Sequence, residues 1–252
     1  MSLFSIRNQF LHLLFNSKRV IEKFGNCFSG RCFIVGNGPS INNQELANLK
    51  NEYCFVSNRF VLHKNFDKIN PDFYCLSDPE FLKNNNRDIL KKIKDKMSTN
   101  INLQLFTSNR FSLNSWFRKS FINFNVNYIF IRTDEKVFNK NTLSVDLKRG
   151  LYFGNTIIID LCIPLAIMMG FDEVILLGCD LNYSSNNSHF FGHQKGTESK
   201  AKNIDRREWV AEVNTSYGIC NEFAISKKVR LLDATEGGKI TTLDKINFQD
   251  LF

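Results

Sequence analysis

From residue 31 onward, short apolar runs of strand length alternate with helix-length segments, and that alternation constrains the fold more than any other feature of the chain. Residues 32–35, 53–57, 73–77, 103–106, 128–131, 174–177 and 229–232 read as strands. Residues 41–50, 79–96, 155–169 and 205–226 read as helices, and 132–153 as irregular. The run Val174-Ile175-Leu176-Leu177 is apolar at every position, the pattern of a strand covered on both faces. A parallel neighbour cannot be reached by a tight turn, so strands joined through helices imply a mostly parallel sheet with helices packed on it. The expectation is an α/β protein with a single Rossmann-like domain over 31–252, an active-site lid loop, and an N-terminal amphipathic segment over 1–30.

The 252 residues suffice for one large core, and 43% apolar with 23% charged residues is the balance of a water-soluble globular chain. No apolar run approaches the roughly 20 residues that cross a bilayer. The N-terminus has no small-residue cleavage site and its apolar residues are spaced, so no secretory leader is expected. Seven cysteines (27, 32, 54, 75, 162, 179 and 220) stand singly with no Cys-x-x-Cys pair. Several lie in apolar runs, and they read as reduced residues of a cytoplasmic protein.

A net charge of +8 attracts anions, or simply marks a solvated basic surface. No nucleic-acid motif accompanies it, so nucleic acid is not expected as a partner. Within residues 1–24, Phe4, Ile6, Phe10, Leu11, Leu13, Leu14, Phe15, Val20, Ile21 and Phe24 are interspersed with Arg7, Lys18, Arg19 and Lys23. Such a segment either lies on an anionic membrane face or docks on its own domain or a partner chain, a second copy included.

In an open parallel sheet, ligands gather at the C-terminal ends of the strands. There the sequence reads Gly36-Asn37-Gly38-Pro39-Ser40, Ser57-Asn58-Arg59, Ser77-Asp78-Pro79, Gly178-Cys179-Asp180 and Asp233-Ala234-Thr235. In the first, the glycines allow close backbone approach to an anion, and free N–H groups at the start of a following helix would face a nucleotide phosphate. Pro39 suits the first helical turn, where its missing N–H costs nothing. Ile41 fills the third glycine position of a dinucleotide fingerprint, and no Gly-Lys-Ser/Thr follows, which disfavours NAD and ATP in their usual cradles. Asn58 reads as a base or ribose contact and Asp78 as a hydroxyl contact, with helix capping as the alternative for each.

A second cluster, Asn182-Tyr183-Ser184-Ser185-Asn186-Asn187-Ser188-His189-Phe190-Phe191-Gly192-His193, follows the strand that ends at Asp180. Its loop-forming composition marks an exposed lid. A neutral imidazole there can take a proton from a hydroxyl nucleophile. His189 and His193 are also spaced to share a metal, but Gly192 weakens a helix and no further ligands lie nearby. There is no Asp-x-Asp, Gly-x-Ser-x-Gly or His-Glu-x-x-His, so metal-independent chemistry and no cofactor are expected. His12 and His63 have no comparable setting in the sequence.

On Gly36–Ser40 and on Asn186–Thr197, which reads Asn-Asn-Ser-His-Phe-Phe-Gly-His-Gln-Lys-Gly-Thr, the chain resembles the bacterial single-domain sialyltransferases. With the Met-Gly-Phe-Asp-Glu-Val-Ile-Leu-Leu-Gly-Cys-Asp run at 169–180, the resemblance covers about residues 31–235. It is also similar to the broader grouping of motility-accessory-factor proteins and an archaeal hydroxymethylpterin diphosphokinase. Val-Ser-Asn-Arg-Phe at 56–60 and Leu-Asp-Ala-Thr-Glu-Gly-Gly at 232–238 fit that grouping.

The first resemblance implies transfer of an acidic sugar (sialic acid, another nonulosonate or 3-deoxy-octulosonate) from a CMP donor to a hydroxyl of a surface glycan or lipid-linked acceptor. His189 would be the general base, Tyr183 would assist the departing phosphate, and Asn37 and Asn58 would contact the CMP. The remainder of Gly36–Ser40, with Asp78, Asn155, Thr156 and Asp180, would complete the donor site. Arg59, His193 and Lys195 would meet acceptor or donor.

The sequence departs from that family in three places. Only six positions separate Tyr183 from His189, Gly154-Asn155-Thr156 replaces Thr-Ser-Gly, and Asp78 stands where asparagine is usual. The resemblance therefore implies a CMP-activated acidic sugar rather than sialic acid itself. The other readings are metal-dependent pyrophosphoryl transfer to a pterin-like alcohol and non-catalytic nucleotide binding in an assembly protein. The first reading would put the enzyme in the cytoplasm, with residues 1–24 at the inner face of the membrane.

Overall fold

The computed structural model describes residues 17–132, 145–152, 156–182, 189–191 and 206–252. Its strands are β1 (Arg31–Val35), β2 (Tyr53–Ser57), β3 (Phe73–Leu76), β4 (Gln104–Ser108), β5 (Val126–Ile129), β6 (Ile131–Arg132), β7 (Leu151–Tyr152), β8 (Glu173–Leu177), β9 (Arg230–Asp233) and β10 (Asp244–Lys245). The α-helices are α1 (Ser17–Phe24), α2 (Phe66–Ile69), α3 (Arg87–Thr99), α4 (Asn109–Leu113), α5 (Ser115–Ser120), α6 (Ile163–Met169) and α7 (Arg206–Ser226). Eight strands form one sheet in the order β10-β9-β8-β1-β2-β3-β4-β5, and every pairing is parallel. This is the expected α/β architecture.

Side chains alternate across the sheet, and each face has its own core. Cys32, Ile34, Phe55, Phe73, Phe106, Val174 and Leu176 face α1, α6 and α7. Phe33, Val35, Cys54, Val56, Tyr74, Leu105, Ile175 and Leu177 face helices α2 to α5 and the 3-10 turns. The central strands are covered on both sides, which is why they read as unbroken apolar runs.

Of the two readings of the N-terminal segment, residues 17–24 take the docked one. In α1, Val20 and Phe24 are buried, Phe24 packs edge-on against Phe106, and the Ser17 hydroxyl accepts from the Phe130 N–H at 2.8 Å. Those apolar groups are therefore not available to a membrane, while residues 1–16 lie outside the described residues. Among the described residues, no helix is long and apolar enough to cross a membrane. All seven cysteines are free thiols, and six of them are buried.

Several expected elements differ. The helix read over 41–50 is two 3-10 segments, Pro39–Asn42 and Leu46–Asn51. Asparagines and Gln44 near its start offer the backbone competing local bonds, which disfavours an α-helix. The helix read from 79 begins at Arg87, after two 3-10 turns, because Asn84-Asn85-Asn86 favours turns and caps. In the apolar helix, Ile158–Cys162 is a π turn that passes into α6. Pro164 gives no N–H to the Asp160 carbonyl four residues back and its ring crowds it, and the wider turn takes up that strain. The stretch read as irregular contains β7, which pairs in parallel with β6 at the stretch's N-terminal edge.

Candidate active site

Chain order reverses at β1, with β2 on one side and β8 on the other. That switch point is where open parallel sheets leave a crevice at their C-terminal edge. A cavity of about 310 Å³ lies there, lined among others by Gly36, Asn37, Gly38, Asn58, Asp78, Thr156, Asp180 and His189. Eight expected residues thus meet in one place. Asn155, Tyr183, His193 and Lys195 lie outside the described residues.

The glycine turn is built differently from the expectation. The amides of Gly36 and Gly38 donate to the Leu177 and Gly178 carbonyls at 2.7 and 2.9 Å, and the Ser40 amide donates to the Asp180 carboxylate at 3.0 Å. The Ser40 hydroxyl donates to the other Asp180 oxygen at 2.8 Å. A Cβ on Gly36 would stand 2.5 Å from the Gly178 carbonyl oxygen, and one on Gly38 would overlap the Asp180 carboxylate. These glycines let β1 and β8 close on each other at their ends. The N–H groups of Gly36, Gly38 and Ser40 are committed to that closure rather than to a phosphate, and the 3-10 turn after them is too short to act as a helix N-terminus. Burial raises the Asp180 carboxyl above its ordinary value, and the two Ser40 bonds oppose the rise.

The asparagines are the polar groups left with capacity. Asn37 donates its Nδ2 to the Ser57 carbonyl at 3.1 Å, which fixes the amide's orientation because a carbonyl can only accept. Its Oδ1 is buried and finds no partner among the described residues, and the same holds for Asn58 Oδ1. Asn58 sits at φ +52°, with its amide N–H on the Cys75 carbonyl and its own carbonyl accepting from the Tyr74 hydroxyl at 2.6 Å. Both orphaned atoms are acceptors, so they suit hydroxyl or amino groups of a ligand rather than phosphate oxygens. Asp78 caps the next turn through the Glu80 N–H at 2.9 Å, the capping alternative of the sequence reading, and it also lines the cavity.

His189 reaches the cavity through its neighbours. The Phe190 amide donates to the Asn37 carbonyl at 2.9 Å, and Asn42 Nδ2 donates to the Phe190 carbonyl at 3.5 Å. The Phe190 ring meets Phe60 and His63 edge to face, with centroids 6.1 and 5.0 Å away. Phe191 stacks on the His189 imidazole and lies under the Arg59 guanidinium, which also donates to Asn86. Arg59 therefore supports the histidine segment and does not line the cavity.

His63, which had no setting in the sequence, is a supporting residue. It is 4% exposed, stacks on Phe60, and accepts the Asn65 N–H at Nδ1. Burial, with a smaller contribution from Lys64, pushes its pKa down to about 4. The sequence reading also missed Asp160, Trp209 and Tyr217 on the cavity wall. Asp160 had a signal, since it is a lone carboxylate in an otherwise apolar helix. Among the described residues no three His, Cys, Asp or Glu side chains come together as a metal-ligand set.

The family described as "6-hydroxymethylpterin diphosphokinase MptE-like" matches residues 7–186. Among solved structures, the monofunctional alpha-2,3-sialyltransferase Cst-I from Campylobacter jejuni is similar at 16% identity and a TM-score of 0.53. That similarity covers 86% of this chain and 79% of the sialyltransferase, and it is a likeness of fold. A search of curated proteins gives no match.

Proposed function

The chain belongs to the 6-hydroxymethylpterin diphosphokinase MptE-like family, and from that premise we propose that it is a transferase moving an acidic sugar from a CMP donor to a hydroxyl of a glycan or lipid-linked acceptor. The observation that carries the reading is the tie between His189 and the Asn37 turn. A segment that begins with an imidazole is bonded to the turn whose asparagine has an unmet buried acceptor. An acceptor such as Asn37 Oδ1 or Asn58 Oδ1 recognises ribose hydroxyls or a base amino group. His189, across the same cavity, would take the proton of the attacking alcohol. A monophosphate leaving group would be met by hydrogen-bond donors rather than a metal, with Tyr183 proposed among them.

The family match favours a second reading, diphosphate transfer from a nucleoside triphosphate to a pterin-like alcohol. Both readings transfer a group from a nucleotide to an alcohol oxygen, so both use a base at His189. Diphosphate transfer ordinarily uses Mg²⁺ held by carboxylates. Asp78, Asp160 and Asp180 line the cavity, but they do not form a ligand set among the described residues, and no metal-dependent step follows from them.

Thermal shifts with CMP, CDP, ATP and GTP separate the two readings. A larger shift with the cytidine nucleotides is expected, and preference for ATP or GTP would overturn the first reading. With a CMP-acidic sugar as donor, His189→Ala should keep CMP affinity and lose transfer by a factor on the order of 10². Transfer at the wild-type rate would remove the general-base role.

A further inference from the structure

Back to back with the active-site cavity, at the same edge of the sheet, lies an open groove of about 810 Å³. The two hollows share walls. Thr235 lines the groove, and its hydroxyl accepts from the N–H of Cys179, which lines the cavity. Asn42, on the groove side, donates to the carbonyl of Phe190.

The groove's lining is unlike the rest of the protein. Seven of its 15 lining residues are Asn or Gln, against 36 of 252 along the chain. Gln44 is 8% exposed, donates its Nε2 to the Ala234 carbonyl at 2.8 Å, and has a buried Oε1 with no partner among the described residues. Asn65 is equally buried, and its side-chain amide makes no hydrogen bond among the described residues. Lys64 and Lys68 on the lining are balanced by Glu45 and Glu236.

Each of these properties restricts the ligand. A side-chain amide both donates and accepts, which matches hydroxyl groups that do the same. A phosphate or polyanion would call for a positive surplus, and the lining has none, its two lysines being matched by two glutamates. The volume lies toward the upper end of the roughly 300–1,000 Å³ range of ligand sites, so a chain of linked rings suits it better than one. We infer that this groove is a binding site for a neutral oligosaccharide, independent of which nucleotide the neighbouring cavity takes.

The test uses the full chain and three neutral probes, maltotetraose, cellotetraose and chitotetraose, followed by saturation-transfer NMR and titration calorimetry. Asn48 and Gln249 are exposed on the groove and their side-chain amides have no partner among the described residues, so Asn48→Ala with Gln249→Ala should leave folding intact. At least one probe should bind the wild type, and the double variant should weaken that binding tenfold or more with an unchanged Tm. CMP binding should be unaffected in the variant, which separates this site from the cavity. The inference is overturned if none of the three probes binds, if the double variant binds as the wild type does, or if only an anionic oligosaccharide such as oligogalacturonate is retained.

Discussion

His63 offers a way to read the support of the histidine segment as a pH dependence. The neutral ring accepts the Asn65 N–H at Nδ1 and lies between Phe60 and Phe190. Protonation would turn that acceptor into a donor facing a donor, and would bury a charge in an aromatic pocket. The native pKa is about 4, against 6.5 for the unfolded chain. Between those values the unfolded state binds more protons than the native state, so stability is complete above pH 6.5 and falls as the pH drops toward 4. At about 1.4 kcal/mol per pH unit, the loss from this one group reaches about 3 kcal/mol by pH 4. His63→Phe keeps an aromatic ring and removes the titration. Urea unfolding at steps from pH 7.5 to 4 should give a profile for the variant that is flatter than the wild type by about that amount. Parallel profiles would refute the assignment of a neutral, buried His63.

Gly38→Ala should cost about 3 kcal/mol in urea unfolding, because the methyl displaces the Asp180 carboxylate from its two Ser40 bonds. Asn58→Gly keeps the φ of +52° without strain while deleting the amide, so Tm should hold and calorimetric affinity for CMP should fall about tenfold. Phe190→Ala empties the contact with Phe60 and His63, and should lower kcat for transfer about tenfold or more while the donor KM stays within about twofold.

The parts of the fold that could be read in the sequence were those decided by local burial. β1, β2, β3, β8 and β9 are covered on both faces, so their apolar runs stand out against polar ends. The ends themselves carried the candidate site, because in a parallel sheet the residues after each strand share one edge whatever their order in the chain. Helix identity between β1 and β2 was not legible. Leu46 and Leu49 have helical spacing and are buried, yet the asparagines before them favour 3-10 turns. His63 and Phe190 show the other limit. Nothing near either residue predicts their contact, which exists only because the segment after β2 and the segment after β8 converge on the Asn37 turn.

The geometry also changes what the net charge of +8 can do. Among the described residues, the cavity lining holds three aspartates and no lysine or arginine. If the proposed CMP donor is the substrate, the basic surface would draw it toward the protein over a range of about 10 Å at ordinary ionic strength, while no lysine or arginine among the described lining residues would meet its phosphate. On the proposed function, recognition by the described lining would fall to uncharged groups, with the orphaned oxygens of Asn37 and Asn58 offered to hydroxyl or amino groups. Raising salt should accordingly slow donor association while leaving the dissociation rate nearly constant, which stopped-flow measurements with a fluorescent CMP analogue can separate. A dissociation rate that climbs with salt as steeply as association falls would mean that a cation holds the phosphate directly.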